Sequence, residues 1–226
     1  MKRTLILVLA ADNGYSHIVE GIRETWGRTL PEGARVLYYY GRREGHPRPQ
    51  PGRVLRLGDT LICDVRDSLD TVLAKTLMAF EHVLATEEFD YVFRCCCGSY
   101  VDTRALVNFV QDKPTEKFYC GVPREHWGYP YAAGSGYFLS KDLVRLIVAQ
   151  KDAIEEFKFP GHIDDVAVGR VLQQTGVAIY PGAVVLENTS AVREGCYHYH
   201  FRATLRYMHD LHANVARLYL SDGSAG

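Results

Sequence analysis

Apolar residues recur along this chain in two alternating rhythms. Thr4 to Ala10 is a nearly unbroken apolar run, the pattern of a strand buried on both faces. A polar turn, Asp12-Asn13-Gly14, leads into a helix expected over Ser16 to Arg28, where Ile18, Ile22 and Trp26 recur every four residues. Gly27, or the turn Pro31-Glu32-Gly33, ends it, and Val36 to Tyr40 is a second strand. Gly41 to Arg53 is rich in Gly, Pro and Arg and has no period, so it is expected as a loop. Val54 to Leu57 is a short strand ended by Gly58. Asp67 to Ala85 follows a 3.6-residue period through Leu69, Val72, Leu73, Thr76, Leu77, Phe80, Val83 and Leu84, with Asp67 or Ser68 as cap.

The stretch from Phe89 begins as a strand rich in aromatic and β-branched residues and breaks off at Arg94-Cys95-Cys96-Cys97-Gly98. After it come a helix over Thr103 to Val110, strands over Lys117 to Val122 and Tyr137 to Leu139, and a helix over Lys141 to Ala149 capped by Ser140. A helix over Ile163 to Thr175 and a strand over Val177 to Tyr180 follow. The tail alternates through Tyr197-His198-Tyr199-His200-Phe201-Arg202 and turns helical from Thr204 to Tyr219. Strands alternating with helices predict an α/β sandwich around a mostly parallel sheet, as one domain over residues 1–226. Ligands of such sheets bind beyond the carboxyl ends of the strands. That places Ala10 to Asn13, Arg94 to Asp102 and the loop before Tyr137 around one crevice.

Composition narrows the partners. The 226 residues carry a net charge of −1, which excludes a general electrostatic role on nucleic acid or a membrane surface. No apolar run approaches the roughly 20 residues a membrane helix needs. The start resembles a signal peptide only superficially, because its apolar run is short and leads into a strand-end turn, so a cytoplasmic location is expected. Six cysteines, three of them consecutive, are too unevenly spaced for a disulfide scaffold. Asn188-Thr189-Ser190 is a glycosylation sequon by pattern alone.

Several segments in order resemble the β-1,3-galactosyltransferase-like and Fringe-like inverting glycosyltransferases, which have the GT-A fold. They are Ile22-Arg23-Glu24-Thr25-Trp26-Gly27, Asp67-Ser68-Leu69 with Val72-Leu73-Ala74-Lys75-Thr76-Leu77, Tyr129 to Ser140, and Ile163-Asp164-Asp165-Val166-Ala167-Val168-Gly169. The resemblance implies transfer of a sugar from a nucleotide-sugar donor to a carbohydrate hydroxyl. It implies Asp165 or Asp164 as the base, and Asp12, Asn13, Arg23 and Lys75 around the nucleotide. Gly134 and Ser135 would let the backbone approach the ligand. Without a ligand, the two aspartates would serve as N-terminal caps of their helix.

One segment departs from the family. Where relatives carry the Asp-x-Asp motif that holds Mg²⁺ or Mn²⁺ on the diphosphate, this chain has Arg94-Cys95-Cys96-Cys97-Gly98. Thiols are a poor substitute for oxygen ligands on a hard cation. No metal ligand is therefore assigned. Arg94, His198 and His200 become the candidates for offsetting the diphosphate charge. The alternative is a transferase-like module that has lost catalysis and keeps carbohydrate or nucleotide binding. The cysteines themselves read as small buried residues, as soft-metal ligands or as a redox pair.

Overall fold

A computed structural model describes residues 1–12, 14–156, 164–201 and 205–222. In chain order the elements are β1 (Thr4–Leu9), α1 (Ser16–Glu24), β2 (Ala34–Arg42), β3 (Val54–Leu57) and β4 (Thr60–Arg66). A 3₁₀ turn (Leu69–Thr71) then runs into α2 (Val72–Thr86), followed by β5 (Tyr91–Cys96), β6 (Ser99–Val101) and α3 (Thr103–Val110). Next are β7 (Tyr119–His126), β8 (Tyr129–Ser140), α4 (Lys141–Ala149), α5 (Lys151–Glu156) and α6 (Asp164–Gln174). The chain closes with β9 (Ile179–Pro181), β10 (Val184–Val185), β11 (His198–His200) and α7 (Leu205–Asp222).

The strands form an eight-stranded sheet in the order β3-β4-β2-β1-β5-β8-β7-β9 and a three-stranded sheet, β10-β11-β6. Pairing is parallel from β4 through β2 and β1 to β5, and β8 then runs antiparallel to both β5 and β7. The unbroken apolar runs are explained by helices on both faces. Ile6, Val8, Tyr38 and Phe93 pack with Ile18, Ile22 and Trp26 of the α1 side. Their alternating neighbours Leu5, Leu7, Tyr39 and Val92 pack with Leu77 and Phe80 of α2, Val144 of α4 and Leu172 of α6.

Three expectations change. The helix expected to Arg28 ends at Glu24, where Thr25 Oγ1 and Gly27 N turn back onto Gly21 O and Ile22 O. Strand β4 was not expected at all. It pairs with β3 across the Gly58-Asp59 turn, and its outer residues are too polar to show a strand period. The segment before Tyr137, expected as a loop, is strand. β8 runs twelve residues, its signal hidden by Pro130, Gly134, Ser135 and Gly136. Its last pair with β5 is Cys95 with Gly136, so Tyr129 to Ser135 continue past the carboxyl edge of β5 as a hairpin with β7.

That hairpin turns on Trp127-Gly128, and both residues have positive φ (51° and 77°). The strand twist selects this mirror-image turn, in which Asn-Gly is the comfortable sequence. Tryptophan there stores backbone strain on the order of 1–3 kcal/mol. The hairpin also rests on α6. A Cβ at Gly169 would lie 2.6 Å from Pro130 O and 2.8 Å from Tyr131 Cα.

Gly169→Ala therefore sets two effects against each other. Helix propensity favours alanine by about 1 kcal/mol. The clash is with backbone, which no rotamer relieves, and overpacking of that kind costs about 1–3 kcal/mol. The expected result is net destabilisation, read as a lower urea midpoint with unchanged slope; a raised midpoint would mean that α6 and β8 are not in this close contact.

Candidate active site

A cleft of about 520 Å³ opens at the carboxyl ends of β1 and β5. Leu9 to Ala11 and Tyr15 line one side, Asp67 to Leu69 with Val72 and Lys75 another, and Cys96 to Gly98 with His200 and Phe201 the floor.

The upper wall is organised by Asp67. Its carboxylate accepts the Asp12 backbone N–H (2.8 Å), the Lys75 ammonium (2.7 Å) and the Gly41 N–H (3.2 Å). Gly41 is needed there, since a Cβ would stand 2.6 Å from the Asp67 backbone. Capping falls to Ser68 instead, through a reciprocal pair with Thr71. Asp12 turns its own carboxylate to Arg43 (2.8 Å) and Ser16 (3.0 Å). The Arg43 hydrogen bond holds the Asp12 carboxyl below its ordinary range. Arg43 stacks on the Tyr40 ring at 4.3 Å. Sequence reasoning passed over both hub residues. Asp67 looked like a helix cap, and Arg43 lies in an aperiodic loop whose only signal was its arginine content.

One nucleotide candidate does not come to this wall, and the structure does not describe another. Arg23 pairs with Asp59 (2.6 Å) and Thr60 (3.0 Å) and lies over the Tyr38 ring, so it is not among the cleft residues. Asn13 lies outside the described residues. Lys75 does reach the cleft, as a buried ammonium already paired with Asp67.

The three cysteines divide by strand alternation. Cys95 and Cys97 both belong to the α1-side core, with Cys97 at its edge also lining the cleft, whereas Cys96, on the opposite face, lines the cleft alone. All six cysteines are free thiols. Burial pushes the Cys96 thiol up and the Cys97 thiol up to about 12, so both stay neutral. Among the described residues, no three His, Cys, Asp or Glu side chains are grouped so as to hold a metal ion. The segment from Cys96 to Gly98 thus offers neutral thiols and a glycine, which do not fit Mg²⁺ or Mn²⁺.

Behind the cleft floor lies the charged centre. Arg94 is 1% exposed. Its guanidinium bonds Asp164 (2.8 Å), the Tyr39 hydroxyl (3.1 Å), the Gly134 carbonyl and the Cys96 sulfur (3.5 Å). Asp164 also accepts Thr76 Oγ1 (3.0 Å), which in turn bonds the Tyr39 hydroxyl (3.0 Å). This corrects the expectation for Arg94. Its charge is spent on Asp164, and it lies beneath the cleft instead of lining it.

Asp165 is held differently. It is 7% exposed and accepts two backbone N–H groups, from Gly134 (2.6 Å) and from Val166 (2.9 Å). Burial, reinforced by the Asp164 charge, pushes its carboxyl up to about 6, against the opposing pull of Arg94. Gly134 has no side chain because a Cβ would stand 2.8 Å from Asp165 Oδ2. The Cys96 thiol donates to the Gly134 carbonyl (3.0 Å), so one residue separates the cleft floor from the Asp165 support. The two aspartates are thus unequal, one neutralised by a cation and one poised near neutral pH.

His198 and His200 share a face of β11, as alternation predicts, and both reach Ser99 Oγ, at 2.9 and 3.3 Å. Ser99 Oγ also contacts the carbonyl of Ser135 at 3.4 Å. Burial drives His198 down to about 3, so the ring is neutral at physiological pH. It packs edge-on to Phe93, in space left by the missing Cβ of Gly136. His198 is therefore a packed support and not a cation for a diphosphate, while His200 lines the cleft.

No family model matches the chain. It is 27% identical over 190 residues to hydroxyproline O-galactosyltransferase GALT5 of Arabidopsis thaliana, covering 72% of this chain and 27% of that protein. It is 27% identical over 194 residues to UDP-GalNAc:beta-1,3-N-acetylgalactosaminyltransferase 1 of Rattus norvegicus, covering 71% of this chain and 57% of the relative. The chain thus spans between about a quarter and just over half the length of these relatives. In fold it is similar to a glycosyltransferase involved in the glycosylation of the major capsid of PBCV-1, with a TM-score of 0.58 at 12% identity over 92% of this chain and 99% of that one. The α/β, GT-A-like architecture follows from that likeness together with the sheet order.

The contrast between the two aspartates is measurable without substrate. Asp164→Ala leaves the Arg94 guanidinium buried and unpaired, which costs about 3–5 kcal/mol. Asp165→Asn reads the second carboxyl through pH dependence, because an amide accepts only one of the two N–H groups and so carries a pH-independent penalty. A carboxyl raised in the folded state favours folding below its unfolded value and loses that contribution as pH rises through about 6. The wild-type unfolding midpoint should therefore fall relative to that of Asp165→Asn as pH rises through about 6. A difference between the two midpoints that stays constant across that range would contradict the assignment.

Proposed function

We propose that this chain, similar in sequence to β-1,3-galactosyltransferase-like enzymes and in fold to a glycosyltransferase, is a transferase that moves a hexose from a nucleotide-sugar donor to a glycan hydroxyl with inversion and without a divalent metal. The observation that carries it is the contrast at Asp164 and Asp165. One carboxylate is locked onto Arg94, and its neighbour is oriented by two backbone N–H groups with its proton affinity raised toward neutral pH. A general base works best with its pKa near the operating pH.

In this reading the acceptor hydroxyl gives its proton to Asp165. The same oxygen attacks the anomeric carbon as the bond to the diphosphate oxygen breaks, so a single displacement inverts the configuration. The cleft takes the nucleotide, with Asp12 fixed at its rim by Asp67 and Arg43. Of the three groups assigned to the diphosphate by sequence, Arg94, His198 and His200, only His200 lines the cleft, and Lys75 lines it with its ammonium held on Asp67. Hydrogen-bond donors fixed before the reaction stabilise developing charge at no reorganisation cost. Relatives named as transferases favour this reading over a binding module that has lost catalysis.

Hydrolysis and transfer from UDP-galactose and UDP-GalNAc, assayed with and without EDTA, test it. Turnover should survive EDTA. Asp165→Asn should lower kcat by about 10²–10⁴-fold, and the wild-type rate should decline as pH falls through about 6, where Asp165 takes up its proton. Turnover abolished by EDTA would overturn the metal-free mechanism. Nucleotide binding without turnover on any donor would restore the binding-module reading.

A further inference from the structure

The mechanism leaves a second cavity at this edge of the sheet unused. It measures about 560 Å³ and is lined by Arg42, Arg43, Glu44, Arg48 and Arg66. Arg42 ends β2 and Arg66 ends β4, on the carboxyl edge that also carries the cleft. Ligands of such sheets bind beyond this edge. The two cavities share no lining residue, and contacts from Arg43 through Asp12 to Asp67 join them.

Four cations and one carboxylate line this cavity, on a chain whose net charge is −1. Arg42 and Arg66 are register partners in the β2–β4 pair. Like charges placed opposite each other on neighbouring strands weaken the pairing, so stability does not account for them. Carboxylates of the chain offset only part of the charge. Arg42 meets Asp64 at 3.4 Å in an exposed pair, and Arg43 meets Asp12 at 2.8 Å. Among the described residues, Arg48 and Arg66 have no acidic partner, and Arg43 Nε is a buried donor without an acceptor. The loop that carries Arg43 and Arg48 is fixed in place. Pro47 and Pro49 flank Arg48 and restrict its backbone, and Pro49 is buried. Gly52 N–H donates to the Asp64 carboxylate (2.9 Å) and Asp64 N–H to the Arg53 carbonyl (3.1 Å), which ties the end of the loop to β4.

We propose that this arginine-lined cavity is an anion site separate from the cleft, and that it takes a phosphate or diphosphate ester. Charge and shape set the class. Planar guanidinium forks match phosphate oxygens two at a time. A diphosphate carries enough negative charge to engage Arg48 and to relieve the repulsion between Arg42 and Arg66, whereas a single carboxylate satisfies one arginine and leaves the others. The inference goes beyond the transferase reading and stands without it, because the cavity and the cleft have separate linings.

Calorimetry on the full chain, with and without saturating UDP, tests it. Inorganic pyrophosphate should bind the UDP-saturated chain, about tenfold or more tightly than sulfate, and the affinity should fall as salt is raised. Arg48→Gln and Arg66→Gln, singly and together, remove arginines that have no acidic partner. Arg66→Gln also removes the like-charged pair, so the unfolding midpoint should hold or rise. The double variant should bind pyrophosphate about tenfold or more weakly and UDP as the wild type does. A second arm separates the sources of the phosphate. Cosedimentation with phosphatidylcholine vesicles that contain phosphatidic acid, lost in the double variant, would assign a lipid phosphate. Pyrophosphate binding without such cosedimentation would assign a soluble ester. Pyrophosphate bound no better than sulfate, or bound equally by the double variant, would overturn the inference. UDP affinity lost together with pyrophosphate affinity would also overturn it, by placing the arginines in the donor site, and would leave the transferase reading intact. A chain that binds pyrophosphate through Arg48 and Arg66 but binds no UDP would keep the anion site and count against the donor reading alone.

Discussion

The buried ion pair between Arg94 and Asp164 is the contact on which the candidate site depends. It ties β5 to α6, and through Tyr39, Thr76 and Gly134 it also holds β2, α2 and β8. Such a pair is weak evidence for stability, because desolvating two charges consumes most of their attraction. Its value here is positional. Directional bonds to one guanidinium set where the first turn of α6 begins, and the next residue, Asp165, is placed against the Gly134 N–H as a consequence. The glycines follow from the same crowding. Gly134 and Gly169 leave room for a carboxylate and a strand backbone that a methyl group would displace.

The cleft is a compensated electrostatic system in which nearly every charge already has a partner. Asp67 takes the Lys75 ammonium and two backbone N–H groups, and Asp12 takes Arg43. Carboxylates at Cys96 and Cys97 would add negative charge beside this wall and would call for a cation. Neutral thiols add no such charge. Arg94 likewise finds its counter-ion within the protein.

Local preference is overridden at two places. Asp165 is buried with a carboxyl raised in the folded state, which disfavours folding whenever it is ionised. Trp127 occupies a turn that prefers asparagine. Both departures from local comfort lie along β8 or directly against it. The same strand is regular where it pairs with β5 and irregular in composition beyond that edge. Such conflict between local preference and observed structure is the usual mark of a site under functional constraint.

Apolar periodicity alone determined the α/β class, the apolar strand β1 and the helix face of α2, because burial on one or both faces of an element leaves its period in the chain. The pair Asp164 and Asp165 was legible through resemblance to a family motif, and as acidic residues opening a helix it could equally have been a pair of caps. Periodicity could not separate the two aspartates, since their difference lies in Arg94, seventy positions away in the chain, and in the Gly134 N–H. Nor could it show that Arg94 and His198 are withdrawn from the cleft, or that Asp67 and Arg43 build its wall. Those outcomes depend on burial and on which partner reaches each charge first. β4 and the outer half of β8 escaped because polar residues, glycine and proline interrupt their pattern, and only pairing with neighbouring strands reveals them. Chain order determined the layers; long-range contacts decided which charges stay available for chemistry, because a charge is neutralised by its neighbours in space and not by those in sequence.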